Sequence, residues 1–241
     1  MISPASLGHR KTVPSYQLAI NTSQNDAQIA LFQDKSFVGE VCWSKAKSHS
    51  EVITIHFEKL LSDLNIKLSQ INKIYCVEGP GSFTGIRVGV NFSKALAYSL
   101  SCPMVAINAL DLLALNCDQT DEKLIACIDA QKNSLFVTEF EFSNSKWKTL
   151  RKNIILKIDS LHDEINQKTY ACGSGVTHYS EFIDASVLAL VEAKQEWMLC
   201  DLKKYFKPHR FQINEKEVSC FDFQPTYLKA SAAEEKLNST F

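Results

Sequence analysis

The chain has 241 residues, 45% of them hydrophobic and 22% charged, with a formal net charge of −1 and an isoelectric point near 6.6. That is enough chain to bury a sizeable core, in one large domain or two small lobes, with an ordinary globular composition. The near-neutral balance excludes general electrostatic capture of nucleic acid, so a role involving nucleic acid needs a local basic patch or a partner that holds the polymer.

Met1–Ser15 has no apolar h-region, so it is no secretory signal and reads as a flexible extension. No segment approaches the roughly 20 apolar residues that span a bilayer. The chain then predicts a strand at Tyr16–Asn21, a polar turn at Thr22–Asp26, a strand at Gln28–Phe32, a turn at Asp34-Lys35 and a strand at Phe37–Trp43. Ser48–Leu64 carries Val52, Ile55, Leu60 and Leu64 at near-helical spacing. Lys73–Val77 is a buried strand that runs into Glu78-Gly79-Pro80-Gly81-Ser82-Phe83-Thr84-Gly85 and a second helix ending near Ser99. Pro103–Ile107 is a strand, and Asn108 caps a helix over Ala109–Cys117.

A three-strand meander continued by strands through helical crossovers is the core unit of the actin/Hsp70/sugar-kinase (ASKHA) architecture, an analogy at the level of fold. The second half restarts with strands at Leu124–Asp129, Ser134–Phe142 and Lys146–Leu156, a short helix near Ser160–Asn166, and a strand at Thr169–Cys172 before Gly173-Ser174-Gly175. Lys203–Glu217 reads as loop and Ser231–Leu237 as a short helix. The expected fold is therefore α/β with two lobes and mixed sheets. The N-terminal extension covers 1–15, the first lobe 16–111, and a smaller, less regular second lobe 112–241, whose last segment returns to lobe one. Of the eight cysteines none forms a C-x-x-C pair; Cys42, Cys76, Cys127 and Cys172 sit in or at the ends of apolar runs. They read as reduced core residues of a cytoplasmic protein.

The glycine loop follows a strand and opens a helix, the setting in which backbone amides bind an anion. Gly79, Gly81, Ser82, Thr84 and Arg87 are the candidate anion or nucleotide residues. The spacing departs from both phosphate fingerprints: Ile86-Arg87 follows Gly85 where a P-loop needs Lys-Ser/Thr, and the run is G-x-G-x-x-x-G. Gly85, Gly89, Ser93 and Ala97 recur every four residues along the helix, a stripe of small side chains. Glycine inside a helix costs about 1 kcal/mol against alanine, offset where another backbone approaches closely. That neighbour is either the chain's own sheet or a helix of another molecule.

Glu78–Val90 (E-GPGSFTGIRVGV) resembles the signature of the TsaB/YeaZ family. Leu18–Ser23, His49-Ser50-Glu51, Ile128-Asp129-Ala130 and Pro225–Lys229 agree with further segments of that family in order and spacing. The resemblance implies an ASKHA-like, non-catalytic subunit that activates a metal-dependent threonylcarbamoyl transferase (TsaD-like), which forms N6-threonylcarbamoyladenosine at position 37 of tRNAs reading A-starting codons. An ATPase subunit (TsaE-like) completes the assembly, tRNA is met only indirectly, and adenine nucleotide is expected, if at all, at the complex interface. On this reading the two first-lobe helices form the interface through Gly85, Gly89, Ser93, Ala97, Ile86, Val90, Val52 and His56, and pair two copies of the chain in the partner's absence. Three positions depart from the family: Asn21 stands where it usually carries Asp, Gln131 where it has Arg, and Lys229 where its C-terminal motif has Arg.

Two catalytic readings stand as rivals. An ASKHA small-molecule kinase needs a charge that Asn21 lacks. A peptidase needs Ser82 as nucleophile, yet G-P-G-S-F is no G-x-S-x-G elbow and a serine there suits a helix cap. His49 and His56 lie about 10.5 Å apart along a helix, too far for one metal. His162, His178 and His209 have no ligand-spaced companions, so neither a metal site nor catalytic residues are expected. Glu78, Asp111 and Asp129 are acid/base candidates only by their position at element ends.

Overall fold

The computed structural model describes residues 14–44, 48–119, 122–207, 211 and 215–229. Most of the expected N-terminal extension and the expected helix at Ser231–Leu237 lie outside the described residues. The chain opens with the antiparallel strands β1 (Tyr16–Asn21), β2 (Asp26–Gln33) and β3 (Ser36–Ser44), followed by helix α1 (His49–Asp63). Then come β4 (Ile71–Gly79), α2 (Phe83–Leu100), β5 (Met104–Asn108) and α3 (Ala109–Ala114). The second half holds β6 (Lys123–Asp129), β7 (Ser134–Ser143), β8 (Lys146–Lys157), α4 (Leu161–Glu164), β9 (Thr169–Cys172), α5 (Gly175–His178), α6 (Ala185–Leu188) and β10 (Val191–Glu192). The chain ends through α7 (Leu202–Phe206) and β11 (Glu217–Val218).

The two sheets repeat one topology. The first runs β3-β2-β1-β4-β5 with β11 added at its edge, and the second β8-β7-β6-β9-β10. In each, an antiparallel meander is extended from its first strand by parallel neighbours. This duplicated order is the ASKHA arrangement. The expected lobe boundary at 111/112 falls inside α3, which packs against strands of both sheets. Towards the C-terminus, Glu217 and Val218 pair with Val105 and Met104 of β5.

Alternation of side chains divides the core into layers. Leu18, Ile20, Ile74 and Cys76 face α1 and α2, while Ala19, Tyr75 and Val77 face the space between the sheets. In the second sheet Leu124, Ala126 and Ile128 face the same central space, and Ile125 and Cys127 face away from it. α3, α7 and the buried Trp197 fill the centre. The expected loop at Lys203–Glu217 is corrected by α7. Asp201 accepts from Lys203 N at 2.9 Å, and buried Leu202 and Tyr205 tie one short helical turn to the core. Beneath β7, buried Glu139 is neutralised by Arg151 (3.0 Å to Nε) and Lys123 (3.3 Å), the pairing an interior carboxylate requires. No helix among the described residues is long and apolar enough to cross a membrane.

The small-residue stripe of α2 is occupied from within. Gly85, Gly89, Ser93 and Ala97 are all buried, as are Ile86 and Val90. The stripe faces Thr22, at the end of β1: a Cβ on Gly85 would run into the Thr22 carbonyl, and one on Gly89 into the Thr22 hydroxyl. That hydroxyl instead donates to the Gly85 carbonyl at 2.8 Å. The expectation that these six residues meet a foreign helix is therefore corrected, because the chain's own strand and turn fill the groove. Gly89→Leu is expected to destabilise the isolated chain by about 1–3 kcal/mol or more through overpacking. Thermal unfolding without any partner measures it; an unchanged midpoint would return the stripe to the surface.

Candidate functional site

The glycine loop is clamped from both sides by its own chain. Gly79 takes φ 122°, a left-handed conformation that only glycine adopts freely, and a Cβ there would meet the Thr226 carbonyl. Ser82 N donates to Ser23 O at 2.8 Å, and Ile86 N donates to Ser82 O at 2.8 Å. The Ser82 hydroxyl caps α2 by accepting from Gly85 N at 3.3 Å. Thr226 N donates to Glu78 O at 2.8 Å, so the C-terminal segment forms a strap against the loop's entry. The loop therefore commits the amides of Ser82, Gly85 and Ile86 inside the chain. Of the other anion candidates, Arg87 lies over the Phe83 ring at 5.5 Å and Thr84 is exposed.

A cleft of about 620 Å³ opens between the sheets, bounded by the β1–β2 turn, the glycine loop, the end of β6 and the strap. Its charged lining among the described residues is Asp26, Asp129 and Lys229. Lys229 is committed: its ammonium donates to the carbonyls of Ala130 (3.1 Å) and Gln131 (3.5 Å), tying strap to second lobe. Tyr227 stacks on Phe83 at 4.5 Å, closing the strap over the loop. The two family arginine positions, Gln131 and Lys229, thus meet one another here through a backbone carbonyl.

Asn21 is equally absorbed. It is buried, its Oδ1 accepts from Ser23 N (3.0 Å) and Ser23 Oγ (2.8 Å), and its Nδ2 donates to Cys200 O at 3.4 Å. It pins the turn beside Thr22 and joins it to the segment before α7. The three carboxylates at element ends have structural partners as well. Asp129 accepts from Tyr179 Oη and Gln131 N, both at 2.7 Å, and burial beside that carboxylate pushes the Tyr179 phenol up to about 12. Asp111 meets Lys152 at 2.7 Å. Burial raises the Glu78 carboxyl, opposed by the Thr226 hydroxyl and by Lys152.

On the far side of the first sheet, α1 and α2 lie side by side, with Phe57 edge-on to Phe92 at 5.5 Å. His49 is buried at the start of α1. Its Nδ1 accepts from Trp43 Nε1, and its Nε2 meets Gln24 O, both at 3.1 Å, so Nε2 carries the proton. His56 stacks on the same indole at 4.8 Å. Val52 and His56 stay half-buried, and Ile55 between them is 63% exposed. Val88, Phe92 and Leu96 of α2 are only partly covered. Of the residues expected at an interface, the structure leaves Val52 and His56 reachable, and it adds Ile55. Helical spacing alone places Ile55 on the apolar face of α1; it turns outward because Ile53 and Phe57 take the buried side.

The Glu78 shift has a defined sign. The unfolded chain ionises this carboxyl more readily than the folded one, so its burial favours folding fully below about 4.5 and ceases to as pH rises through the raised value. Glu78→Gln should therefore raise the melting temperature at pH 7, on the order of 2 °C for a chain this size, with the gain gone at pH 4. Melting curves of both proteins at the two pH values check this, and a gain that grew at acid pH would reverse the assignment.

Comparison with known proteins agrees with this frame. The family model for tRNA N6-adenosine threonylcarbamoyltransferase matches residues 27–236. The tRNA threonylcarbamoyladenosine biosynthesis protein TsaB of Escherichia coli K12 is 25% identical over 230 residues, covering 91% of this chain and 97% of that protein. Its Bacillus subtilis 168 namesake is 32% identical over 127 residues, 53% of this chain and 56% of that protein. A Pseudomonas aeruginosa crystal structure, described as an uncharacterized protein with similarity to peptidase YEAZ, superposes with TM-score 0.66 at 21% identity, covering 89% of this chain and 100% of that one. The chain belongs to the family described by the tRNA N6-adenosine threonylcarbamoyltransferase model, as a member of its TsaB/YeaZ branch.

Proposed function

We propose that this chain is a non-catalytic subunit that binds and activates a metal-dependent threonylcarbamoyl transferase acting on adenosine 37 of tRNA. The observation that carries the reading is that the fold's reactive positions are filled by the chain's own groups. Asn21 replaces the expected carboxylate and is hydrogen-bonded within its turn. The glycine loop is clamped by Ser23 and Thr226, and Lys229 is held by carbonyls. A chain so arranged offers surface rather than chemistry, and its relatives are named for tRNA threonylcarbamoyladenosine biosynthesis.

The surface it offers is the outer side of α1 and α2, centred on Ile55 with Val52, His56, Val88 and Phe92 around it. An exposed apolar strip on paired helices is suited to packing against the helices of a partner. Without the transferase the same strip pairs two copies of this chain. An ATPase subunit completes the assembly, adenine nucleotide enters at the subunit boundary rather than in the glycine loop, and tRNA is held by the transferase. The eight unbridged cysteines suit a cytoplasmic setting.

Reconstitution tests the reading. Threonylcarbamoyladenosine formation by transferase and ATPase is expected to rise at least tenfold when this chain is added. Ile55→Glu should remove that stimulation and co-purification with the transferase while leaving the melting temperature within about 1 °C, as befits an exposed site. Wild-type recovery of the complex with Ile55→Glu would rule this face out.

A further inference from the structure

A second cavity, of about 500 Å³, lies at the opposite edge of the first sheet, between the end of α2, the start of β5 and the strand β11. Both Cys102 and Cys220 line it, and both are half-buried. They flank a short strand pairing. β11 pairs antiparallel with β5 as Glu217↔Val105 and Val218↔Met104. The pairing ends there: Ser219 O accepts from Asp222 N (3.1 Å) and Phe223 N (3.0 Å), so the chain turns at Cys220, at the end of β5 that Cys102 precedes. Met104, Val218, Cys102 and Cys220 all pack on the core beneath α2, whereas Val105 packs on the opposite face of the sheet. Both thiols thus share one cavity and one face of the sheet at the same end of this pairing, and a disulfide joins them where their Cα atoms come within about 4.4–6.8 Å.

We propose that Cys102 and Cys220 are a thiol-oxidation site, a dithiol that a small disulfide such as glutathione disulfide converts to an intramolecular cross-link. The thiolate of one cysteine attacks glutathione disulfide, forming a mixed disulfide and releasing one glutathione. The second thiolate then attacks the protein sulfur of that mixed disulfide and releases the other glutathione. Two protein thiols lose two protons and two electrons, and one glutathione disulfide is reduced to two thiols. Five of the remaining cysteines (Cys76, Cys117, Cys127, Cys172 and Cys200) are buried, and Cys42 is exposed. Burial holds the Cys102 thiol above its ordinary value and a Cys220 thiolate raises it further, so the reaction accelerates as pH rises.

The cross-link acts on the strap. Cys220 starts the segment that buries Phe223, whose carbonyl accepts from Lys94 Nζ at 2.9 Å, and that then clamps the glycine loop through Thr226 and Tyr227. The strand pairing that roots this segment is only two residues long. A covalent bond at its foot closes the loop between residues 102 and 220 and limits how far the strap lifts from the cleft.

The test incubates the reduced full chain with glutathione disulfide, blocks residual thiols with iodoacetamide and maps peptides by mass spectrometry. The expected product joins the peptides bearing Cys102 and Cys220, with Cys42 carrying glutathione as the sign that the reagent has acted. Amides of 223–227 then exchange at least severalfold more slowly than in the reduced chain. Cys102→Ser should leave Cys220 with a glutathione adduct and no cross-link, and Cys220→Ser the converse. Glutathione on both cysteines without a cross-link, a different cysteine pair joined, or both thiols alkylated while Cys42 is modified would each overturn the proposal.

Discussion

The side chain of Thr22 sits in a groove that only glycine at 85 and 89 leaves open, and much of the first lobe depends on that contact. It joins the end of β1 to the first turns of α2, and its hydroxyl satisfies a helix carbonyl while it does so. With the turn seated there, Ser23 O lies where it receives the Ser82 amide, and Asn21 turns its amide toward Cys200. The two helix glycines, each unfavourable by about 1 kcal/mol in isolation, are thus offset by tight packing inside one chain.

A second consequence concerns the relation between the lobes. The sheets share one topology, and in this chain the cleft between them is bridged by its own residues: Lys229 reaches the carbonyls after β6, and Cys200 receives Asn21 and Gln24. Each bridge is a modest hydrogen bond, worth about 1 kcal/mol. Together they give a duplicated frame bridged across its cleft by its own residues, with Ile55 of α1 exposed on the outward side. The proposed partner-binding role rests on that division of surfaces.

Much of the frame was legible from residue order. The meander, the crossover helices and the second set of strands follow from alternation and turn chemistry, and β1 begins and ends at the residues expected of it. Elements held mainly by tertiary contacts were not. β10 and β11 are two residues each, and α7 is a single turn fixed by Asp201 and the burial of Leu202 and Tyr205. The stripe on α2 was visible, but its neighbour was not: periodicity marks a smooth helix face without saying what covers it. The signal that resolves it is Thr22, a small hydroxyl residue directly after a buried strand, whose distance to the stripe exists only once the sheet has formed. Likewise Lys229 and Gln131 read only as departures from family arginines, and it takes the folded chain to bring the Lys229 ammonium to the Ala130 and Gln131 carbonyls.

The most direct measurement is a double-mutant cycle on the seat itself, with Thr22→Ala, Gly89→Ala and the pair, read as unfolding free energies of the isolated chain. The clash that an alanine at 89 creates is with the Thr22 hydroxyl, so removing that hydroxyl should recover part of the loss, leaving a coupling of about 1 kcal/mol or more. Strict additivity, with Gly89→Ala as costly in the Thr22→Ala background as in the wild-type chain, would contradict the account.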